Sequence, residues 1–393
     1  MITVDFAWPS EDVRSAAIDS GAFIPENQMP LGIEVWGDRV FVTLPRWRSG
    51  TPATLATVSL RGPRHNQPLQ PYPSWAWNRE GAGCDALTGV FRVQVDHDCG
   101  RLWVLDAGEV DVAEGGRQLC PPQLLAFDLK TDTLLLRHTL SSDVTRQGAL
   151  FSNLVVDTRG GKCADTHVYM ADAWRFGIVV FSARSQTSWR VEHEYMQSDP
   201  LACRYNTSGQ NFMWHDGVFG FGLAPEVSGD RTLYFAPMSS FRAFAVPSSV
   251  LRNETENTHA AFTVLPARGG GLGGQWHAGA SAMSRSGIWF YNLVTRDAVG
   301  CWNSRLPYLP ALQGELARDP VTLSFPNDIK VDAHDNVWVL SNRLPTYLFS
   351  SLDPKDVNIR IFSAPEAELV HGTPCEQHYE PKQDDFFTAP CVY

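Results

Sequence analysis

The chain has 393 residues, of which 44% are apolar and 19% charged, and this balance excludes a disordered polypeptide. The 43 acidic side chains outnumber the 32 basic ones, and the formal charge of −11 argues against binding to nucleic acid or to an anionic membrane. No run of 18 apolar residues occurs, so no transmembrane helix is expected.

The first predicted element is a short N-terminal helix in the segment PSEDVRSAAIDSG. Ser10 is a suitable N-cap, Glu11 and Asp12 face the positive end of the helix, and Gly21 can end it. We divide the chain into an N-terminal extension that contains this helix (1–25), a main domain (26–365) and a C-terminal tail (366–393).

Six segments of the main domain share one pattern: a strand, a polar turn, and an apolar strand centred on an aromatic residue. They occupy residues 32–44, 93–106, 154–172, 222–237, 280–292 and 328–341. Alignment of the six segments places these aromatic residues at one position: Phe41, Trp103, Tyr169, Tyr234, Trp289 and Trp338. Each segment is therefore predicted to be a β-hairpin of a repeating unit.

Repetition of hairpins predicts the architecture of the whole domain. A single hairpin cannot bury both of its faces, whereas like units packed side by side can. Apolar stretches at 124–129 and 177–183 supply outer strands for the second and third units. The sequence thus predicts an all-β fold, a six-bladed β-propeller with a short N-terminal helix. Two sandwich domains made of ordinary hairpins are the alternative.

The stretches IPENQMPLGIEVWGDRVFVTLPRWRSGTPATL, CGRLWVLDAG, DGVFGFGLAP and FPNDIKVDAHDNVWVLSNRLP follow one another between Phe23 and Asp353. In this order they resemble the yellow / major royal jelly protein family of arthropods. The resemblance implies a secreted six-bladed propeller. It also implies one of three roles: cuticle pigmentation, dopachrome conversion in melanin synthesis, or binding of biogenic amines.

Eight cysteines without CxxC pairs favour disulfides over a zinc site. Cys99 and Cys163 lie in neighbouring hairpin units, and Cys203 and Cys301 are related in the same way across a longer span, so these are the preferred pairs. A pair of Cys84 with Cys120 is possible.

Two glycosylation sequons begin at Asn206 and Asn253. Together with the cysteines and the resemblance, they predict a secreted, extracellular glycoprotein. The first 20 residues contain acids and lack the apolar core of a signal peptide, so we expect the leader to be missing from this sequence. A cytosolic protein with buried thiols is the alternative.

A ligand site is expected at one mouth of the propeller channel, where loops enter the innermost strands. The first strand of each repeat should be innermost, so the residues just before or at its start are candidates. They are Tyr72, Phe151, Asn153, Trp214, Asp216, Trp276, His277, Phe325, Asn327 and Asp328. Aromatic faces combined with carboxylate and amide oxygens fit a small aromatic amine or catechol.

Asn327 in FPNDIKVD is the leading ligand-binding candidate. For Asn327 and Asp328, hydrogen bonds in a turn at the start of a strand are the alternative, and a turn role is also open for Asp216. Trp276 and Phe325 have core packing as their alternative.

Catalysis has less support, because no GxSxG elbow is present. Dopachrome conversion would require a general base, for which His215 and His277 are the candidates. No metal site and no cofactor are predicted, although His215, Asp216, His277, Asn153 and Asp328 could approach one another, and a structural Ca²⁺ stays open.

The sequence therefore supports three hypotheses for the function. It does not indicate the oligomeric state. The first is a secreted yellow-family protein that binds a small aromatic amine or catechol at the channel mouth, in pigmentation or cuticle melanisation. The second is a dopachrome-converting tautomerase or decarboxylase. The third is a non-catalytic structural or signalling protein.

Overall fold

The computed structural model describes residues 3–255, 259–268 and 276–380. Within them, six antiparallel sheets form the blades, and two further two-stranded sheets are inserted hairpins. The first three blades are four-stranded. Blade one consists of β1 (Gly32–Trp36), β2 (Arg39–Thr43), β3 (Leu55–Ser59) and β4 (Gln70–Pro71). Blade two consists of β5 (Val90–Asp96), β6 (Arg101–Asp106), an inserted hairpin of β7 (Glu109–Val110) and β8 (Arg117–Gln118), then β9 (Gln123–Asp128) and β10 (Leu134–Thr139). Blade three consists of β11 (Phe151–Asp157), β12 (His167–Asp172), β13 (Gly177–Ser182) and β14 (Thr187–Glu192).

A second inserted hairpin precedes the remaining blades and is formed by β15 (Arg204–Thr207) and β16 (Gln210–Met213). Blade four consists of β17 (Val218–Leu223), β18 (Thr232–Pro237), β19 (Phe244–Pro247) and β20 (Thr263–Val264). Blade five consists of β21 (Ser281–Met283), β22 (Ile288–Leu293), β23 (Ala298–Asn303) and β24 (Gln313–Arg318). Blade six has three strands in the described residues: β25 (Pro326–Val331), β26 (Asn336–Ser341) and β27 (Arg360–Pro365).

The helices are short and lie between or outside the blades. The α-helices are α1 (Glu11–Asp19), α2 (Trp75–Asn78), α3 (Ser248–Leu251), α4 (Leu344–Phe349) and α5 (Glu366–Val370). Single 3₁₀ turns occupy Pro25–Asn27, Val112–Glu114, Cys163–Asp165, Glu194–Met196, Pro200–Ala202, His259–Ala261 and Pro310–Leu312. No helix among the described residues has the length and apolarity to cross a membrane.

The predicted N-terminal helix is present as α1, and its cap is the predicted one. The hydroxyl oxygen of Ser10 accepts a hydrogen bond from the amide of Val13 at 3.3 Å. Gly21, one residue beyond the C-cap Ser20, has a left-handed backbone with φ of 75°, which glycine adopts without a steric penalty.

The six sheets close into a ring, as the repeats predict. The inner strands contact one another in sequence from β1 to β25, and β25 in turn contacts β1. Each repeat aromatic pairs with an inner-strand residue, and the pairs are Phe41 with Glu34, Trp103 with Gln94, Tyr169 with Val155, Tyr234 with Gly222, Trp289 with Met283, and Trp338 with Lys330. The prediction of a six-bladed propeller with inner first strands is therefore confirmed.

The core is divided into layers between neighbouring blades. Val35 and Val40 of blade one, for example, pack with Trp338 and Leu340 of blade six in one cluster. This layer joins the first blade to the last. Ring closure also uses a polar contact, because the Oδ2 atom of Asp328 in β25 accepts from the amide of Ile33 in β1 at 2.9 Å.

Three disulfides are present in the described residues, and two of them are the predicted ones. Cys84 pairs with Cys120, and Cys99 with Cys163. The expected pair of Cys203 with Cys301 is wrong, because Cys301 pairs with Cys375 and Cys203 is a buried free thiol.

The geometry around Cys301 explains its actual partner. Cys301 lies on β23 opposite Gly314 of β24, and a Cβ atom at Gly314 would come within 2.8 Å of the Cys301 sulfur and 3.2 Å of the Cys375 sulfur. Glycine therefore leaves the space that the bridge fills. The disulfide ties the beginning of the predicted tail, which the structure describes as far as residue 380, to blade five.

The two sequons lie apart from each other. Asn206 is exposed on β15, in the hairpin between blades three and four. Asn253 follows α3, and its side-chain oxygen accepts hydrogen bonds from the amide of Thr255 at 3.1 Å and from its hydroxyl at 2.9 Å. Glycosylation of either residue stays a prediction.

Candidate functional site

A cavity of about 230 Å³ lies at the end of the channel where the inner strands begin. In the following, it is called the mouth cavity. Its walls are mainly aromatic, and the rings come from five of the six blades and their loops: Trp47, Phe91, Trp174, Trp214, Phe219 and Phe325. Phe349 of α4 stands at the rim with 48% of its surface exposed.

The rings form a continuous aromatic wall. Trp47 and Phe91 have ring centroids 5.6 Å apart, and Phe91 and Phe219 meet edge to face at 6.2 Å. Trp214 meets Phe325 edge to face at 6.1 Å. Such a wall presents several π-faces to one small volume, which is the arrangement that attracts an organic cation.

Asp216 is the one ionisable side chain in the described lining of the mouth cavity. Its Oδ1 atom accepts from the indole nitrogen of Trp174 at 3.0 Å, while Oδ2 has no hydrogen-bond partner among the described residues. Burial raises the pKa of Asp216 to about 6, and the hydrogen bond from Trp174 opposes that rise. At neutral pH the cavity therefore holds a carboxylate with an oxygen free for a ligand.

Asn327 is the second polar group of the cavity, and its side-chain amide is held by the protein. Its Oδ1 atom accepts from Nη2 of Arg92 at 2.8 Å, and its Nδ2 atom donates to Oδ1 of Asn342 at 3.4 Å. One amide hydrogen of Asn327 is left for another acceptor.

Arg92 supports Asn327 from beneath the cavity. The guanidinium is fully buried, its Nε atom lies 3.4 Å from Oδ1 of Asp328, and its Cζ atom lies 5.0 Å from the ring centroid of Phe91. The side chain passes Gly32, where a Cβ atom would approach Cδ of Arg92 to 3.1 Å. Because residue 32 in β1 is a glycine, the Arg92 side chain has room to extend from blade two to blade six.

The structure brings together some of the sequence-predicted residues and separates others. Trp214, Asp216, Phe325 and Asn327 line the mouth cavity, whereas Tyr72, Phe151, Asn153, Trp276 and Asp328 do not. The ligand-binding role of each predicted residue stays a prediction.

The residues outside the mouth cavity have structural contacts. Tyr72 packs edge to face on Phe41 with centroids 5.0 Å apart. The Nδ2 atom of Asn153 donates to the carbonyl of Phe219 at 2.6 Å, which joins blades three and four. The Cζ atom of Arg296 lies over Trp276, 4.1 Å from the centroid of its ring.

The two predicted catalytic histidines also lie outside the lining of the mouth cavity. His277 is buried, its Nε2 atom donates to the carbonyl of Ala202 at 2.7 Å, and its Nδ1 atom lies 3.3 Å from the hydroxyl of Thr295. Burial lowers the pKa of His277 to about 4, so its ring is neutral at physiological pH. His215 is exposed beside Asp216 in the chain.

The five residues considered for a metal site do not form one ligand set in the described residues. In the part of the chain that the structure describes, a different group places ligand atoms within 4.8 Å of one another: His193, Glu194 and His259. The Nδ1 atom of His193 already accepts from the amide of Tyr195 at 3.1 Å. The Nδ1 lone pair of His193 is used by this hydrogen bond, which caps a 3₁₀ turn. The group therefore does not present a free set of metal ligands.

Trp47, Trp174 and Arg92 are features of the site that the sequence interpretation missed. Trp47 follows β2 and Trp174 follows β12, the second strands of their blades. Antiparallel pairing puts the end of a second strand beside the beginning of the first, so these residues reach the same mouth. The signal was therefore present in the repeat alignment, at the position after each second strand.

Comparison with known proteins identifies a family and relatives that this chain resembles. A family profile described as Major royal jelly protein matches residues 88–375. The chain is 42% identical over 379 residues to Protein yellow of Drosophila yakuba and to Protein yellow of Drosophila melanogaster, covering 95% of this chain and 69% of each relative.

Solved structures align only weakly with this chain. Virginiamycin B lyase from Staphylococcus aureus aligns with a TM-score of 0.45 at 11% identity, over 86% of this chain and 85% of that chain. A PQQ-bound aldose sugar dehydrogenase from Streptomyces coelicolor aligns with a TM-score of 0.45 at 11% identity, over 87% of this chain and 96% of that chain. Such distant likeness says nothing about function. The family profile and the identity to Protein yellow, in contrast, show that the chain belongs to the yellow / major royal jelly protein family.

Proposed function

We propose that this chain is a secreted yellow-family protein that binds a small aromatic amine in the mouth cavity and acts in pigmentation or cuticle melanisation. The observation that carries the proposal is the unpaired Oδ2 atom of Asp216 within a wall of aromatic rings. A protonated amine satisfies both features, because its ammonium meets the carboxylate and π-faces while its ring packs on the wall.

The size and charge of the site support the same class of ligand. A volume of about 230 Å³ lies below the roughly 300–1,000 Å³ of sites for drug-sized molecules. One or two fused rings with a short amine chain match it better than a larger ligand. The net charge of −11 adds a weak attraction for cations over the whole molecule.

Secretion is part of the proposal. The three disulfides are typical of proteins from oxidising compartments, and the described sequon at Asn206 is exposed. Family membership supports the role in pigmentation.

Calorimetric titration with dopamine and with serotonin tests amine binding. We expect saturable heat for the unmodified chain and at least about tenfold weaker binding for Asp216→Asn, because the charge-assisted contact is lost. Asp143→Asn removes the same charge from an exposed position and should leave the affinity unchanged. Absence of heat at millimolar amine would instead favour the structural or signalling role.

Dopachrome conversion is a second candidate, and a specific observation favours it. A carboxyl group with a pKa of about 6 inside an aromatic cavity is suited to accept a proton from a bound ring system at neutral pH. In this scheme, Asp216 replaces His215 and His277 as the general base. Decolourisation of dopachrome should then depend on Asp216 and persist in His215→Ala and His277→Ala. A rate equal to that of buffer alone excludes the enzyme.

A further inference from the structure

A second cavity, of about 340 Å³, lies at the opposite end of the channel, where the turns of the inner hairpins meet. In the following, it is called the turn-side cavity. Its inner layer is formed by residues that pair with the repeat aromatics, among them Glu34, Gln94 and Lys330. Asp98 and Arg285 are exposed and also line it, so the cavity opens to solvent.

Lys330 is the unusual member of this layer. Only 7% of its surface is exposed, and it forms no ion pair and no hydrogen bond with any residue that the structure describes. The other lysines in the described ranges, Lys130, Lys162 and Lys355, are exposed. Buried lysines usually have a charged neighbour, and here the positive charge of Lys330 opposes the rise that burial causes in the pKa of Glu34. The ammonium of Lys330 therefore remains available as a donor to an acceptor inside the cavity.

The carboxylates of the cavity already have other donors. Glu34 accepts from the amides of Val35 at 2.9 Å and Val95 at 3.0 Å, one on each oxygen. Asp332 accepts the indole hydrogen of Trp338 at 2.8 Å on one oxygen and backbone amides on the other. These acids hold the hairpin turns and inner strands together and do not form ion pairs with Lys330.

Unused donors, in contrast, face the same space. Gln94 lines the cavity with no side-chain hydrogen bond among the described residues. Arg231 also lines it: its Nη1 atom lies 3.4 Å from Oδ1 of Asp157, and its Nε atom is buried without a partner. Together with the ammonium of Lys330, they form a set of donors that lacks an acceptor. An anionic group supplies that acceptor.

The wall limits the charge of that anion. Asp96 and Asp332 also line the cavity, and their carboxylates repel a group with two or more negative charges. Burial raises the pKa of Glu34 to about 7, so this side chain is only partly ionised at neutral pH. One oxygen of a singly charged carboxylate can accept from the ammonium of Lys330, and its second oxygen can accept from the remaining donors. We propose that the turn-side cavity is a second binding site, in which Lys330 binds the carboxylate of a small organic acid.

This site is separate from the mouth cavity. Asn327 lines the mouth cavity and Lys330 the turn-side cavity, three residues further along β25, or about 10 Å in an extended strand. Asp328 and the buried Arg92 lie between them. The proposal therefore does not depend on amine binding at the mouth.

Calorimetry with benzoate as the probe tests the site. Benzamide is the matched neutral control, and inorganic phosphate is the control for a higher charge. We expect saturable heat with benzoate, none with benzamide and weaker binding of phosphate. Absence of benzoate binding at millimolar concentration overturns the proposal, and tighter binding of phosphate overturns the ligand class.

Two variants locate the site. Lys330→Met keeps an unbranched side chain of similar length but removes the ammonium. It should weaken benzoate binding by about tenfold or more. Lys355→Met, in an exposed position, should bind benzoate normally. Equal affinity in Lys330→Met and the unmodified chain refutes the assignment.

Glu34→Gln gives an independent readout if Lys330→Met does not fold. At pH 8, where Glu34 with its pKa of about 7 is mostly ionised, removal of its negative charge should strengthen benzoate binding severalfold, and weaker or unchanged binding contradicts the proposal. Dopamine titration should be the same in Lys330→Met as in the unmodified chain, while Asp216→Asn should still bind benzoate. These crossed controls separate failure of this site from failure of the mouth cavity.

Discussion

Nη2 of Arg92, in the second blade, donates a hydrogen bond of 2.8 Å to Oδ1 of Asn327, in the sixth blade. The two residues are 235 positions apart, and the arginine reaches the asparagine past Gly32 of the first blade. The same guanidinium pairs with Asp328, which accepts the amide of Ile33. One buried side chain thus joins both ends of the ring and holds Asn327, which lines the mouth cavity.

Replacement of Arg92 tests this closure. Arg92→Met leaves Asp328 without its cation and Asn327 without its donor in a buried setting, so we expect a loss of about 3–5 kcal/mol in the free energy of unfolding. Arg61→Met is the matched control, because Arg61 pairs with Asp38 at 3.0 Å on the exposed surface and should cost at most about 1 kcal/mol. Urea unfolding measures both. Equal losses would show that Arg92 does not close the ring.

The propeller could be predicted because its signal is local and repeated. Trp103 and its equivalents occupy the same register in each hairpin, and each hairpin requires only a neighbouring unit to bury its faces. The contact of Arg92 with Asn327 has no such signal, because it depends on closure of the whole ring and on space at Gly32. Local patterns therefore predicted the blades, but not the side chain that joins their ends.

The site was predictable in part for the same reason. Phe325 and Asn327 lie at the start of an inner strand, which the repeat alignment locates. Asn153 has a comparable place in β11, but its side chain turns to the carbonyl of Phe219 in the next blade. Side-chain direction at the rim depends on packing between blades, and one sequence does not show it.

The contrast between these two asparagines gives a second prediction. Asn327→Ala should weaken dopamine binding by about 1–3 kcal/mol, since it removes a polar group of the mouth cavity. Asn153→Ala should leave dopamine affinity unchanged, although loss of its bond to Phe219 lowers thermal stability. Calorimetry and thermal unfolding separate the two effects. If Asn153→Ala weakens binding and Asn327→Ala does not, Asn327 was the wrong choice.

The disulfide map gives a third prediction. Cys301→Ser should lower the free energy of unfolding by about 2–4 kcal/mol, because the bridge to Cys375 closes a loop with a sequence separation of 74. Cys203→Ala should retain all three described bridges. Peptide mapping under non-reducing conditions should recover a Cys301–Cys375 fragment. A Cys203–Cys301 fragment would refute this connectivity.

Stability as a function of pH gives a fourth prediction, again at Asp216. Burial raises its folded-state pKa to about 6, above the ordinary carboxyl value, so ionisation of Asp216 disfavours the folded state. Its contribution to stability is therefore greatest at acid pH and decreases as the pH rises from about 4 to about 6. Asp216→Asn should raise the melting temperature at pH 7, where the unmodified side chain is charged. A lower melting temperature would indicate that the carboxylate stabilises the empty protein.

The same ionisation predicts how amine binding depends on pH. The ammonium of dopamine stays protonated between pH 5 and 7, so only the carboxylate changes charge, and a cationic ligand favours its ionised form. With a pKa of about 6, affinity should fall about tenfold between pH 7 and pH 5. Titrations of Asp216→Asn over this range should show no such fall, and those of Asp143→Asn should match the unmodified chain. An unchanged affinity at pH 5 would mean that the Asp216 carboxylate does not contact the ammonium, since its protonation removes the charge that the amine requires.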